Sequence, residues 1–287
     1  MNKVKIFNTK ISAQAPIISG KQYHIDCKAG DVARYVLVPG DPQRVPKIAS
    51  GWDSAHEVAN HREYHTMTGK YKGVPISCVS SGIGAPSLAI GIDELSRIGA
   101  ETFIRVGSTG ALHKEMRLGD LVIATGAVRL DGASKDFVIA EYPAIANYEV
   151  VMALIQAAEE LNERYHVGIA ASTDSFYAGQ GRPALNNYLP SFKENILRDM
   201  QAAQVLNFEM EGSCLFTLAN IFGKRAGMIC FVIANRVTDE FAITDEMARR
   251  AGRVASEAVR ILANWDEQRK KKGKKFLYPS LLTKLFR

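Results

Sequence analysis

The chain of 287 residues lacks the features that mark several classes of protein. It contains no run of about 18 apolar residues, which argues against a transmembrane helix. The N-terminal segment, residues 1–5, is not followed by the long apolar stretch of a secretory signal. With 47% hydrophobic and 23% charged residues, the composition is that of a soluble globular protein. We therefore expect a cytoplasmic protein.

Cysteine and metal-binding patterns are also sparse. The four cysteines are scattered without a CxxC pair or a zinc spacing, which favours buried reduced thiols. His61 and His65 are four residues apart, but residues 60–68 read as a strand or loop, and no third ligand is near. No glycine-containing loop matches the GxxxxGK[ST] pattern of a Walker A loop, and the GxSxG motif of a hydrolase is absent. The sequence thus predicts no required metal and no nucleophilic serine triad.

The net positive charge of the chain comes from one end. Residues 264–287 hold eight basic and two acidic residues and carry the whole formal net charge of +6. A nucleic-acid-binding domain more often has its basic excess on the folded part. We expect residues 269–275 to be solvated. The residues beyond them are apolar again and include Leu285 and Phe286. They are compatible with docking on the body, on a neighbouring subunit or on a membrane surface; the alternative is a disordered end.

Strand-like and helix-like segments alternate. Short apolar runs predict strands at 34–38, 74–80, 101–106, 120–125, 166–171 and 227–234. Helical periodicity predicts helices at 87–98, 150–161, 210–221 and 245–263, the last capped by Thr244 or Asp245. This alternation predicts a single α/β domain at 23–264, between an N-terminal extension at 1–22 and a basic tail at 265–287.

Three glycine-containing loops, at 39–44, 81–87 and 105–110, follow predicted strands. Small residues let a ligand approach the backbone, and exposed N–H groups bind anions. Each loop alone is more typical of a tight turn. The nearby Arg44, Arg62 and Arg105 favour a phosphate site, because a guanidinium matches phosphate oxygens, although a surface salt bridge is the alternative for each.

Two further segments carry groups suited to a nucleoside. Glu209 and Glu211 open a predicted apolar helix, where they either complement the helix dipole or bind sugar hydroxyls; spacing leaves these readings even. Phe176, Gln180 and Arg182 offer an aromatic face and the donors and acceptors that read a flat base. The alternative for this segment is a surface loop punctuated by glycines.

Taken in order, six segments resemble the nucleoside phosphorylase-I family over about residues 24–263. They are residues 38–45, 61–63, 81–87, 105–110, 129–134 and 207–211. The resemblance implies a central mixed β-sheet flanked by helices. It also implies a homo-oligomer, a hexamer built as a trimer of dimers, with phosphate as co-substrate and no organic cofactor.

The resemblance implies a role for each matching residue. Phosphate would be held by Gly40, Arg44, Arg105 and Ser108, with Arg62 supplied by the neighbouring subunit. Ribose would be held by Glu209, Met210 and Glu211, with His24 reaching the 5′-hydroxyl of the adjacent subunit. Phe176, Gln180 and Arg182 would bind the base, and Arg236 would lie near its carbonyl edge, so that Arg236 and Glu211 serve the catalytic step. Glu63, Ile83 and Ser87 resemble residues that hold a monovalent cation such as potassium between subunits.

Within the family, two features favour uridine as substrate: the base segment at 176–182, and Arg236 where purine enzymes carry a catalytic aspartate. The expected reaction converts uridine and phosphate to uracil and ribose 1-phosphate. Departures from the pattern are Ser108 for threonine, Phe208 for tyrosine, and Ala178 and Gly181 for proline and glutamate. The alternatives are a purine or broad-specificity nucleoside phosphorylase, a hydrolytic nucleosidase, and nucleic-acid or membrane-surface binding through the basic tail.

Overall fold

The computed structural model of the chain describes residues 11–282. The strands of this part are β1 (Ile17–Ile18), β2 (Lys21–Gln22), β3 (Tyr35–Pro39), β4 (Ser54–His61), β5 (Tyr64–Tyr71), β6 (Val74–Val79), β7 (Thr102–Ala111), β8 (Leu121–Leu130), β9 (Ala144–Ile145), β10 (Tyr165–Thr173), β11 (Val205–Glu209), β12 (Arg225–Asn235) and β13 (Glu240–Phe241). The α-helices are α1 (Arg44–Ala49), α2 (Ala85–Arg97), α3 (Ala133–Phe137), α4 (Tyr148–Glu160), α5 (Ile196–Ala202), α6 (Gly212–Ile221), α7 (Asp245–Lys271) and α8 (Pro279–Leu282). Short 3-10 turns occur at Ala178–Gln180, Leu185–Asn187 and Ser191–Lys193.

Strands β3 to β13 form one mixed sheet, which confirms the predicted fold class. Its order is β13-β12-β8-β10-β11-β7-β3-β6-β5-β4, with β9 beside β8. Strand β12 also pairs with β7, so that β7, β12, β8, β10 and β11 close into a ring. Parallel pairs such as β3–β7 and β10–β11 lie beside antiparallel pairs such as β7–β11 and β8–β12. The ring brings strands that are distant in sequence around one cavity.

Helices cover the sheet on both sides because its central strands are apolar on both faces. Strand β3 shows this alternation: Tyr35 and Leu37 enter the core built with α1, α4 and α7. Val36 and Val38 enter the core built with α2 and α6. All five residues of β3 are buried, as its continuous apolar run predicts.

The predicted strands and helices are confirmed, although several are longer than the sequence pattern indicates. The Thr244 hydroxyl caps α7 by accepting a hydrogen bond from the N–H of Met247 at 3.3 Å. Residues 60–68, whose sequence reads as a strand or loop, belong to the β4–β5 hairpin. All four cysteines are free and buried, and burial raises the pKa of each thiol.

The helix predicted at 210–221 begins later than expected. It starts at Gly212, and the residues before it form β11, a strand that the sequence pattern did not reveal. Glu209 therefore ends a strand, and Glu211 occupies the N-cap of α6 without a side-chain cap. The reason is tertiary: β11 pairs with both β10 and β7, and these ladders fix an extended backbone up to Glu209.

The basic tail is partly built into the body. Helix α7 runs past residue 264 without a break and ends at Lys271. Residues 270–275 are exposed, as expected, but Arg269 is not free in solvent, because it pairs with Glu149 and Asp266, each at 2.7 Å. Leu277 and Leu281 are each 4% exposed and pack into the core beside α4 and α7. Docking on the body is thus the alternative that holds for these two leucines, whereas Leu285, Phe286 and residues 1–10 of the extension lie outside the described residues.

Each helix between residues 11 and 282 is too short or too polar to cross a membrane.

Candidate active site

A cavity of about 730 Å³ opens where β7, β11 and β12 meet the loops after β3 and β10. It gathers eleven of the predicted site residues at one place: Gly40, Arg44, Arg105, Ser108, Phe176, Gln180, Arg182, Glu209, Met210, Glu211 and Arg236. Ile83 lines it as well. These residues come from segments up to about 200 positions apart, and the ring of strands is what brings them together.

One end of the cavity is built to receive an anion. The Arg105 side chain, on β7, is 5% exposed; its Nε donates to Glu209 Oε2 at 3.1 Å, and its Nη2 pairs with Glu211. Its Nη1 is buried and has no hydrogen-bond partner within residues 11–282. A Cβ added to Gly40 would lie 3.9 Å from this Nη1 and 3.1 Å from the carbonyl oxygen of Gly82, so glycine keeps the space beside the guanidinium narrow but open. An unpaired buried donor is costly unless a ligand completes it.

Arg44 adds a second guanidinium at the same end. It is the first residue of α1, its Nη2 donates to Ser108 Oγ at 3.4 Å, and its guanidinium lies 5.0 Å from the centre of the Phe231 ring. Burial lowers the pKa of Arg44. Burial alone also lowers the pKa of Arg105, but the carboxylates of Glu211 and Glu209 raise it by more, so the net shift is upward. Arg105 therefore stays charged in a nearly dry site.

Two carboxylates form the middle of the cavity. Glu211 Oε1 accepts the backbone N–H of Gly84 at 2.6 Å, and its side chain is 3% exposed. Burial raises the pKa of Glu211; the charge of Arg105 opposes this effect and the charge of Glu209 adds to it. A Cβ on Gly212 would lie 2.7 Å from Met228 Cε and 3.0 Å from Glu209 Oε1, so glycine leaves room for the Glu209 carboxylate at this point.

The other end carries hydrogen-bond donors around Gln180, which is 3% exposed. Its Nε2 donates to Thr173 Oγ1 at 3.1 Å, and its Oε1 accepts from Arg182. Arg236 donates to the Gln180 carbonyl oxygen at 3.0 Å. Burial, and after it the charge of Arg236, lowers the pKa of Arg182 to about 10. This end thus holds two partly desolvated guanidiniums, which favour negative charge on a ligand.

One face of the Phe176 ring is occupied by an arginine. The Arg182 guanidinium lies 4.2 Å from the centre of the Phe176 ring, and its Nη1 donates to the Phe176 carbonyl oxygen at 2.8 Å. Gly181 has φ +68°, and a Cβ there would lie 2.8 Å from Ile196 Cγ2. Glycine at this position therefore permits the tight turn that seats Gln180 and Arg182.

Comparison with known proteins agrees with this geometry. A sequence profile of the family described as "Phosphorylase superfamily" matches residues 34–264. The chain belongs to the phosphorylase superfamily. It is 61% identical over 272 residues to a uridine phosphorylase of Thermococcus kodakarensis, covering 94% of this chain and 98% of that relative. It is 38% identical over 246 residues to a uridine phosphorylase of Escherichia coli (84% and 97% covered), and 39% identical over 247 residues to a guanosine phosphorylase of Halorubrum lacusprofundi (85% and 97% covered).

Four predicted residues of this phosphorylase-superfamily chain are not among the cavity-lining residues of the described part. They are His24, Arg62, Glu63 and Ser87. His24 Nδ1 lies 2.7 Å from Glu94 Oε1, and Arg62, with φ +56°, donates to the hydroxyl of Tyr23 at 3.2 Å. Ser87 Oγ donates to Glu63 Oε1 at 2.7 Å. Their proposed roles at the contact with a neighbouring subunit stay a prediction.

The segment 129–134, one of the six that resemble the family, stabilises the local structure around α3. Arg129 is 9% exposed and donates to the Ser134 hydroxyl and to five backbone carbonyl groups, which include those of Ile139 and Tyr142. Asp131 is fully buried and accepts from the N–H and the hydroxyl of Ser134, and from the hydroxyl of Ser213 at the start of α6. The motif thus fixes the α3 loop against the helix that follows Glu211.

Sequence reasoning missed several residues of the site. Thr173 holds Gln180, and Thr109, Asp239 and Phe241 line the cavity. Asp239 raises the pKa of Arg236 against the lowering by burial, so it balances part of that charge. Thr109 lies inside the segment 105–110, whereas no sequence motif marks Thr173, Asp239 or Phe241, because single hydroxyl, acidic and aromatic residues near strand ends are common. No group of three or more His, Cys, Asp or Glu side chains suited to a metal ion occurs in residues 11–282.

Proposed function

We propose that this chain catalyses the reversible phosphorolysis of uridine, forming uracil and ribose 1-phosphate. The observation that carries the proposal is the single cavity with an arginine-lined anion end, buried carboxylates in the middle and a donor-rich base end. The order of these three parts along the cavity is the order of phosphate, ribose and base in the reacting pair. The names of the Thermococcus kodakarensis and Escherichia coli relatives support the same substrate.

Phosphate binds at the anion end, held by Gly40, Arg44, Arg105 and Ser108. The unpartnered Nη1 of Arg105 supplies a donor for one phosphate oxygen. Charge-assisted hydrogen bonds from arginines in a desolvated site hold the dianion firmly and orient it. This positioning replaces a bimolecular encounter by attack within a bound pair.

Ribose binds over Met210 and Glu211; Glu209, which the family pattern adds to this set, supports Glu211 by accepting its backbone N–H at 2.9 Å. A phosphate oxygen attacks C1′ as the bond from C1′ to the base nitrogen breaks, and the sugar gains positive charge in the transition state. The bound phosphate and the Glu211 carboxylate stabilise that charge. The electron pair of the broken bond passes to the uracil ring, which takes a proton afterwards.

Uracil binds against Phe176, Gln180 and Arg182, with Arg236 near a carbonyl oxygen. Because Arg182 and Arg236 are partly desolvated, their hydrogen bonds to an anionic base are strong. They favour departure of uracil as an anion, and this makes Arg236 a catalytic candidate together with Glu211. No organic cofactor takes part.

The complete site requires a neighbouring subunit that contributes Arg62 and His24. We propose a hexamer assembled as a trimer of dimers, with a monovalent cation such as potassium held near Glu63, Ile83 and Ser87. We place the enzyme in the cytoplasm. Analytical sedimentation tests the oligomeric state. A comparison of activity in sodium and in potassium buffers tests the cation.

The decisive experiment measures product formation from uridine and from inosine or guanosine, each with and without phosphate. Phosphate-dependent release of uracil with little cleavage of purine nucleosides supports the proposal. Preferred cleavage of guanosine or inosine moves the chain to the purine enzymes, a candidate kept by the Halorubrum lacusprofundi relative. Cleavage without phosphate identifies a nucleosidase instead.

The basic tail defines the alternative from another class. Residues 270–275 are exposed and contain five lysines, so they present positive charge to solvent. Binding to nucleic acid or to anionic vesicles that disappears when these lysines are changed to glutamine would support that function. Phosphorolysis that continues unchanged in the same variant keeps the body and the tail separate in function.

A further inference from the structure

The carboxylate of Glu209 is fully used by the protein. It accepts from Arg105 Nε at 3.1 Å, from the backbone N–H of Glu211 at 2.9 Å, from that of Gly212 at 2.9 and 3.0 Å, and from the hydroxyl of Ser172. Its side chain is 0% exposed. An ionised carboxylate offers about four lone-pair positions. Four donor groups therefore leave Glu209 without a position for a sugar hydroxyl.

Ser172 holds Glu209 from the neighbouring strand. The two residues are directly paired in the β10–β11 register, which is why a short serine side chain reaches the carboxylate. The Ser172 hydroxyl donates to Glu209 Oε1 and accepts the backbone N–H of Ser213, in the first turn of α6, at 2.8 Å. Ser172 is 0% exposed, so water does not compete for these bonds. Its hydroxyl thus links β10, β11 and α6 at one point.

The orientation of Arg105 depends on this arrangement. Glu209 takes Nε, Glu211 takes Nη2, and only Nη1 is left facing the space beside Gly40. We propose that Ser172 and Glu209 are positioning residues that aim the Arg105 guanidinium at phosphate, an inference that rests on the phosphorolysis proposed above. Ser172 fixes the rotamer of Glu209, and Glu209 fixes the plane of the guanidinium. Neither residue touches the reacting atoms.

Ser172→Ala tests the proposal, because it removes the hydroxyl and keeps both charges. The phosphate dissociation constant is measured from the rise of Tm with inorganic phosphate, and KM is measured for phosphate and for uridine. We expect the dissociation constant and KM for phosphate to rise about tenfold, since small misplacements of a binding group weaken positioning strongly. KM for uridine should change less than about twofold. Unchanged phosphate affinity in the folded variant would overturn the proposal.

Two further variants separate positioning from stability. Ser77→Ala removes another fully buried hydroxyl, one that bonds the Ala33 N–H and Thr68 away from the cavity. It should lower Tm without changing phosphate affinity. If Ser172→Ala does not fold, Glu209→Gln is measured instead. Its amide keeps one acceptor oxygen, and its NH₂ group faces a donor in either orientation, Arg105 Nε or the Gly212 N–H, so it should weaken phosphate binding to a similar degree. Equal phosphate affinity in Glu209→Gln and the wild type counts against the proposal.

Measurements on the wild-type protein separate a failure of the proposed phosphorolysis from a failure of the proposed positioning role. If phosphate fails to raise its Tm and uridine is not cleaved, the proposed function itself is wrong. If the wild type binds phosphate and cleaves uridine, and the Ser172 variant does so equally well, only the positioning role is wrong.

Discussion

Arg105 and Glu211 form an ion pair in which the two side chains are only 5% and 3% exposed. Glu209 shares the same guanidinium, so two carboxylates surround one arginine in a site with little water. Such a group holds its geometry because each charge is costly without its partners. The arrangement leaves one side of the Arg105 guanidinium open to a further anion.

Arg105→Lys should cripple phosphate use. Lysine is a compact point charge and lacks the planar fork that holds both carboxylates while presenting a free N–H. We expect kcat/KM for phosphate to fall about 100-fold or more, as for loss of a transition-state donor. Steady-state kinetics with varied phosphate measure the change. Arg97→Lys, at an exposed arginine that pairs with Asp93, is the matched control and should retain full activity. Retained phosphate kinetics in Arg105→Lys would show that the anion end is misassigned.

Arg182→Ala should harm uridine cleavage more than inosine cleavage. The substitution removes a desolvated donor beside Gln180 and frees the face of Phe176. We expect kcat/KM to fall about 100-fold for uridine and by a smaller factor for inosine. Arg198→Ala changes an arginine whose side chain is 77% exposed, and it controls for loss of charge alone. Equal losses for both nucleosides would rule out the assignment of Arg182 to uracil.

The protein should lose stability in acid through Asp266. Burial raises the pKa of this carboxyl, but hydrogen bonds from Arg225 and Tyr35 and the charges of Arg225 and Arg269 lower it by more, so the net shift is downward. A carboxyl with a lowered folded-state pKa contributes stability above its unfolded value of about 3.9, and that stability disappears as pH falls through the folded value. We expect the free energy of unfolding, measured in urea, to decline as pH drops from about 5 towards 2.

Asp266→Asn tests this account. Breaking a buried ion pair should cost about 3–5 kcal/mol at pH 7 and make the acid dependence shallower. Asp93→Asn, at an exposed helical pair, should cost about 0.5 kcal/mol or less. If Asp266→Asn has the stability and acid dependence of the wild type, the ion pairs of Asp266 do not contribute to the free energy of unfolding.

The docked end of the chain should stabilise the body. Leu277 is 4% exposed, its N–H donates to Glu149 at 3.3 Å, and its carbonyl oxygen accepts from the Tyr148 hydroxyl at 3.0 Å. We expect Leu277→Ala to cost about 2–5 kcal/mol, as for a leucine truncated in a core. Thermal unfolding measures the loss. The neighbouring Phe276 is 60% exposed, and Phe276→Ala should change stability by about 0.5 kcal/mol or less.

The docked leucines also make truncation of the tail different from replacement of its lysines. Deletion of residues 265–287 removes Asp266, Leu277 and Leu281 together, so loss of activity in that truncation would reflect loss of the core. Replacement of the exposed lysines at 270–275 keeps Asp266, Leu277 and Leu281, and removes one contact of theirs, the hydrogen bond from Lys272 Nζ to the Leu281 carbonyl oxygen at 2.9 Å. Wild-type thermal stability of the lysine variant checks that the body is undisturbed.

Much of the candidate site was predictable because its groups sit in short ordered segments. Gly40, Arg44, Arg105, Glu211 and Arg182 lie within motifs whose residue types suit phosphate, ribose and base. Their partners were not predictable in the same way. Ser172 lies 37 residues from Glu209, and Gly84 lies 127 residues from Glu211. Pairings at such separations depend on strand order and register, which a motif does not encode.

The strand β11 shows the same limit in secondary structure. Residues 205–209 are too short for their periodicity to separate a strand from the start of a helix. Pairing with β10 on one side and β7 on the other decides the matter. As a result Glu209 and Glu211 are not neighbours on a helix face but lie on either side of a strand-to-helix turn.

The sequence by itself determined the alternation of strands and helices, the electrically neutral body with a basic end, and the residue types of the three-part site. Local periodicity, charge counts and motifs carry that information. Only the tertiary structure decided how these charges are placed: Arg269 is bound to Glu149, 120 residues away, whereas residues 270–275 are exposed and Lys272 donates to the Leu281 carbonyl oxygen. It likewise left one N–H group of Arg105 open while closing off Glu209. The physical reason is that burial and hydrogen-bond partners are properties of packed neighbours, and packing joins segments that the sequence keeps apart.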